Sequence, residues 1–139
     1  LLAEVVADMC REFRSQGVTH VLGIEARGFI LGGAVATALG AGFAPARKQG
    51  KLPWERTTAS YDLEYGSDAL EAHRDALQPG DRVLVVDDVL ATGGTAQAAG
   101  RLVQDLGAGL VGWSFLLEIG ALGGRERLRG GPCHVVTRC

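Results

Sequence analysis

The chain has 139 residues, 47% of them apolar and 22% charged, with a formal net charge of -2. That length and balance describe one domain able to bury its own core, and they exclude the strongly basic surface that attracts nucleic acid or anionic membrane. No apolar run is long enough to span a bilayer and no stretch resembles a signal peptide.

Leu2, Val5, Val6, Met9 and Phe13 recur at helical spacing, which predicts a helix from the start of the chain to Gly17. Val18–Ile24 reads as a short buried strand, Phe29–Leu39 as an apolar helix rich in Gly and Ala, and Ala41–Ala46 as another strand. Arg47–Ser60 is a basic loop containing Gly and Pro. Tyr61–Tyr65 alternates as a strand does, Ser67–Leu77 reads as a helix capped by Ser67, and Gln78–Asp81 as a turn. Arg82–Leu90 is the most apolar strand. A helix over Thr95–Gly107, a strand over Leu110–Ile119, a short helix over Gly123–Leu128 and a last strand over Cys133–Val136 complete the chain. Strands alternating with helices predict a single α/β domain over residues 1–139, a mostly parallel twisted sheet with helices on both faces.

Cys10, Cys133 and Cys139 are scattered and form no Cys-x-x-Cys pair, and His20, His73 and His134 stand apart. They read as reduced thiols of a cytoplasmic protein, with neither a zinc site nor a disulfide framework.

Asp87 and Asp88 stand side by side at the end of that apolar strand. Two carboxylates there repel each other and lose part of their hydration, so a partner must compensate them. In a parallel sheet the ligand lies outside the carboxyl ends of the strands. Ala91, Thr92, Gly93, Gly94 and Thr95 then lead into a helix. A Gly-Gly turn at a helix N-terminus presents backbone N–H groups as a concave nest, and with two threonine hydroxyls it forms a phosphate site. The turn holds no lysine, so it is no Walker loop. The acids adjoin the glycines instead of following some twenty residues on, so it is no dinucleotide fingerprint. A ribose 5-phosphate fits, its 2′- and 3′-hydroxyls donating to the carboxylates and its phosphate seated in the nest. Taken alone, Asp87 and Asp88 also read as a solvated strand end before an ordinary capping turn.

The full string Val83–Ala96 resembles the 5-phosphoribosyl-1-pyrophosphate (PRPP) binding motif of the type I phosphoribosyltransferases. Gly23–Gly32 ("GIEARGFILG"), Arg47–Pro53 ("RKQGKLP") and Ala59–Gly66 ("ASYDLEYG") resemble the adenine-using branch of that family, in its order and spacing. The similarity runs from Gly23 to about Leu128. It implies the type I phosphoribosyltransferase fold and the purine-salvage reaction of adenine with PRPP to give AMP and pyrophosphate. It further implies Mg²⁺ held mainly by the substrate, with no direct protein ligand, and a homodimer without nucleic-acid or membrane partners. On this resemblance Arg27, Arg47, Lys48 and Lys51 bind pyrophosphate, the last three on a segment that closes as a lid. Glu64 is the catalytic residue, Tyr65 packs near the reacting centre, and Ile119 packs on the base. The family's non-proline cis peptide would fall at Glu25–Ala26, and a further segment would lie upstream of Leu1.

Two alternatives stay open at this point. One is a phosphoribosyltransferase for a 6-oxopurine, which calls for a donor such as lysine at the base edge, since a buried unpaired acceptor is costly. The strand Leu110–Ile119 ends instead in Glu118, Ile119, Gly120 and Ala121, and the first cation beyond is Arg125. The other alternative is a non-catalytic PRPP-sensing regulatory module, in which the lid cations and Glu64 would have no task.

Overall fold

The computed structural model describes residues 1–48, 56–63 and 66–139, with the side chains of residues 56–63 and 66–69 outside the description. Helix α1 (Leu2–Cys10) leads through tight turns to β1 (His20–Ile24), α2 (Arg27–Leu39) and β2 (Gly42–Lys48). An antiparallel pair follows, β3 (Arg56–Leu63) and β4 (Gly66–His73), then β5 (Arg82–Leu90), α3 (Gly94–Asp105) and β6 (Gly109–Glu118). Two 3-10 turns, Gly120–Leu122 and Gly124–Arg127, precede β7 (Cys133–Arg138).

One seven-stranded sheet runs in the order β3-β4-β2-β1-β5-β6-β7. The pairs β2–β1, β1–β5, β5–β6 and β6–β7 are parallel, and β4 pairs antiparallel with both β2 and β3. The α/β fold expected from the alternating pattern is therefore present. The strand order reverses between β1 and β5, the position at which open α/β sheets bind ligands.

Alternation along the central strands divides the core in two. Val21, Leu84 and Val86 face α1 and α2, packing with Met9, Phe13, Leu31 and Val35. Leu22, Val83 and Val85 face the other way, packing with Ala98, Ala99, Leu102, Val103, Trp113 and Phe115. Central strands apolar on both faces are what a covered parallel sheet requires. Trp113, Phe13 and Phe115 are the largest fully buried side chains, and truncating one to alanine costs about 3–5 kcal/mol.

Several boundaries differ from the sequence expectation. The first helix stops at Cys10, and the chain to Gly17 tightens into turns in which Arg11, Phe13 and Gln16 N–H groups donate three residues back. Phe13 is still carried into the core, so its helical spacing was a true burial signal on a shorter helix. The basic loop is shorter than expected, because Arg47 and Lys48 belong to β2 and Arg56–Ser60 to β3; residues 49–55 lie outside the described residues. Ser67–Leu77 is not a helix. Its first part is β4, hydrogen-bonded along its length to β3 and at Leu70 and Glu71 to β2. Leu70, Glu71 and Ala72 are all buried there. Ala, Leu and Glu favour helices in isolation, but two flanking strands satisfy this backbone and override that preference. The short helix at Gly123–Leu128 is a 3-10 turn.

Candidate active site

Because β2, β1, β5 and β6 are adjacent and parallel, their carboxyl ends form one rim. Arg47 and Lys48 end β2, Glu25–Arg27 follow β1, Asp87 and Asp88 lie near the end of β5, and Ile119 follows β6. Residues spread across the chain are thus gathered at one edge, where two helix N-termini, those of α2 and α3, also emerge.

The acid pair is held by its own backbone. Asp88 N–H donates to Asp87 Oδ1 at 2.8 Å, and Val89 N–H donates to Asp88 Oδ1 at 2.9 Å. Burial, with the Asp88 carboxylate alongside, pushes the Asp87 pKa up to about 8. Arg27 places Nε 2.6 Å from Asp88 Oδ2 while the rest of its side chain is largely exposed. α2 approaches this closely only because residue 28 is glycine: a Cβ there would lie 2.9 Å from Asp87 Oδ1. The peptide Glu25–Ala26 is cis, as the resemblance implied.

Beyond the acids, Ala91–Thr95 line a cavity of about 70 Å³ together with Asp87. Gly93, at φ +87°, occupies the N-cap of α3 in the left-handed region that glycine alone adopts freely. Its missing side chain matters as well, since a Cβ would sit 2.5 Å from Gly124 O. Gly124 in turn leaves room for Ala91 O, so the 3-10 turn backs the loop by direct backbone contact. Rigid N–H groups at a helix N-terminus, backed in this way, suit a phosphate.

The opposite end of the rim is cationic. Glu25 Oε1 accepts from Lys48 N–H at 3.1 Å and lies 3.6 Å from Arg47 Nε. The Arg47 guanidinium stands 5.6 Å from the Phe29 ring centroid. Its Nε is buried and makes no hydrogen bond among the described residues, with Glu25 at ion-pair distance only. Lys51, Glu64 and Tyr65 lie outside the described residues.

At the β6 end, Ile119 is half-buried and its N–H donates to Leu90 O at 2.9 Å, tying the end of β6 to the strand that carries the acids. Next to it Glu118, almost fully buried, accepts from Arg125 Nη2 at 2.9 Å and Nε at 3.3 Å. Those bonds hold its carboxyl below the usual range despite burial. Arg125 Nη1 also donates to Cys133 O at 2.6 Å. Burial pushes the Cys133 thiol up to about 11, which leaves it inert as a nucleophile near neutral pH.

Sequence reading missed Gly28, Gly124 and the Glu118–Arg125 pair. Gly28 and Gly124 act through contacts between distant stretches of chain, whereas Glu118 and Arg125 meet across the short turn that follows β6.

This geometry defines a class. A family model described as phosphoribosyl transferase domain matches residues 2–127, and the chain belongs to that family. Within it the chain stands with the adenine phosphoribosyltransferases. It is 58% identical over 128 residues to the adenine phosphoribosyltransferase of Myxococcus xanthus, covering 92% of this chain and 70% of that one. The crystal structure of adenine phosphoribosyltransferase from Rhodothermus marinus superposes with a TM-score of 0.96 at 51% identity, covering 99% of this chain and 79% of that one. The Saccharomyces cerevisiae enzyme, solved with an imino-altritol bisphosphate and adenine, gives a TM-score of 0.89 at 40% identity over 99% of this chain and 78% of that one.

Proposed function

We propose that the chain transfers the 5-phosphoribosyl group from PRPP to adenine, giving AMP and pyrophosphate in purine salvage. The observation that carries this is the single rim at which an acid pair, a glycine-backed phosphate cavity and the cationic strand end of Arg47 and Lys48 meet. Asp87 and Asp88 accept from the ribose hydroxyls, and Ala91, Thr92, Gly93, Gly94 and Thr95 hold the 5′-phosphate. Arg47 and Lys48, with Lys51, take the pyrophosphate. Arg27 joins them by turning its exposed guanidinium from Asp88 to the ligand.

Departure of pyrophosphate leaves an oxocarbenium-like ribosyl centre, which the purine N9 attacks. Catalysis is then mainly positioning and charge control by the two anion sites. Glu64 handles the purine proton, Tyr65 packs beside the reacting centre, and Ile119 packs on the base.

The donor set fits Mg²⁺ held mainly by the substrate. The acid pair, with burial and the neighbouring Asp88 raising Asp87 to about 8, lacks a full positive complement. Asp87 and Asp88 would face such an ion, which when bound supplies positive charge to the phosphate oxygens.

Arg125, the first cation after β6, is committed to Glu118 and Cys133 O. It is therefore unavailable to a 6-oxo group, which supports adenine over hypoxanthine or guanine. A homodimer in the cytoplasm belongs to the same reading; Leu2 and Ile30, both largely exposed apolar side chains, support a protein partner. The function is tested by supplying PRPP and Mg²⁺ with either adenine or hypoxanthine. Pyrophosphate release with adenine, at least about tenfold above hypoxanthine, is expected. Equal use of both bases would overturn the base assignment, and release with neither would overturn the enzyme.

A further inference from the structure

A second cavity, of about 160 Å³, opens where α3 meets β6 and the stretch from Arg127 to Arg129, and it shares no lining residue with the phosphate-loop cavity. Its apolar side is Leu110 and the edge of Trp113, kept open by Gly100, where a Cβ would lie 3.2 Å from the Trp113 ring. Its polar side carries Gln97, Arg101 and Gln104 from α3, together with Arg127 and Arg129, and Arg101 is already engaged in an interaction of its own.

The charge arrangement there is uneven. Arg11, Arg27, Arg47, Arg125 and Arg138 each lie within ion-pair distance of a carboxylate. Arg127 and Arg129 have no such partner among the described residues, although the chain as a whole carries a net charge of -2. No carboxylate among the described residues lines the cavity. Arginines that line one concave surface repel each other, an anion between them offsets that repulsion, and a guanidinium fork matches phosphate oxygens in both geometry and charge. The neighbouring glutamine amides add neutral donors.

We propose that this cavity is a second, non-catalytic site for a phosphoryl dianion, held by Arg127 and Arg129 with Gln97 and Gln104. The dianion comes either free, as inorganic phosphate, or as the phosphate of a nucleotide whose body lies against Leu110 and Trp113. The position has a consequence for the catalytic rim. α3 carries the phosphate loop at its N-terminus, and the 3-10 turn ending in Arg127 touches that loop through Gly124 and Gly93. A ligand bridging α3 and Arg127 therefore fastens the two elements that frame the catalytic phosphate site.

The test is an amide NMR titration of the full 139-residue chain with inorganic phosphate and, separately, with AMP. Gly100 and Gly130 report on this cavity, and Gly93 and Gly94 on the phosphate loop. The proposal expects saturable shifts at Gly100 and Gly130. The combined Arg127→Ala and Arg129→Ala variant should raise their apparent Kd at least about tenfold and leave the Gly93 and Gly94 response intact. Gln104→Glu, at an exposed helix position that should not disturb folding, should weaken the same response by placing a negative charge in the cavity. Tighter saturation by AMP than by phosphate at Gly100 and Gly130 assigns the site to a nucleotide, and equal affinity assigns it to the free anion. Shifts at Gly100 and Gly130 that are absent in the wild-type chain, or that keep their Kd in both variants, would overturn the proposal.

Discussion

The two halves of the candidate rim offer donors to an anion by different means. On the β5 side the phosphate loop offers backbone N–H groups, fixed by a left-handed glycine and backed by the 3-10 turn at Gly124. On the β1–β2 side the donors are side chains: Arg47 and Lys48 at a strand end, and Arg27 exposed and resting on Asp88. The contrast matches the fate of each part of PRPP under the proposed reaction. The ribose phosphate stays bound through the chemical step and suits a rigid cradle, whereas pyrophosphate must leave and suits cations that can move with it.

The largest expected effect removes chemistry while sparing both halves. Glu64→Ala should lower turnover by about 10²–10⁴ with PRPP affinity near wild type, measured by steady-state kinetics and calorimetry. Wild-type turnover would remove Glu64 from the catalytic assignment.

Rigidity of the cradle is broken next. Gly93→Val forces a β-branched residue to φ +87° and drives a Cβ to 2.5 Å from Gly124 O. A fall in kcat/KM for PRPP of roughly 10²–10³ is expected, of which the left-handed conformation alone accounts for about 1–2 kcal/mol. A variant that keeps wild-type kcat/KM would show that the loop is not a rigid cradle.

Asp87→Asn separates function from stability. It should weaken PRPP binding by roughly 10- to 100-fold, the worth of one charge-assisted hydrogen bond. The sign of its pH effect follows from the raised pKa. An acid at about 8 in the folded chain and near 3.8 when unfolded binds more protons folded than unfolded across that range. Stability of the ligand-free chain therefore falls as pH rises from about 4 to about 8. The uncharged amide of the variant escapes this loss, so the variant should melt several degrees above wild type at pH 8 and lose that advantage near pH 4. Magnesium-bound PRPP, which favours the carboxylate, should release a proton on binding near neutral pH, detectable by calorimetry in buffers of different ionisation enthalpy. Identical heats in those buffers would contradict the raised Asp87.

The same contrast explains what was legible in the sequence. β5, the loop and α3 are contiguous, and their apolar run, acids, glycines and helix pattern lie within one stretch of chain; the fold class could be read directly, and so could the residues of this half of the candidate site. The cation half could be read as residues but not as structure. Arg47 and Lys48 were expected on a loop, yet they sit on β2, and β4 beside them had a helical composition that only pairing with β2 and β3 overrides. Gly28 and Gly124 carry no local signal, because each is defined by a partner reached through the tertiary fold: Asp87 and the phosphate loop respectively.

The division of labour is tested most directly by measuring ribose 5-phosphate and pyrophosphate affinities separately, in Asp88→Asn and in Arg47→Ala, by titration calorimetry with Mg²⁺. The account predicts a crossed pattern. Asp88→Asn loses roughly tenfold or more for ribose 5-phosphate and little for pyrophosphate, while Arg47→Ala loses several-fold for pyrophosphate and little for ribose 5-phosphate. Equal losses for both ligands in both variants would contradict it, since the rim would then be one undivided anion site.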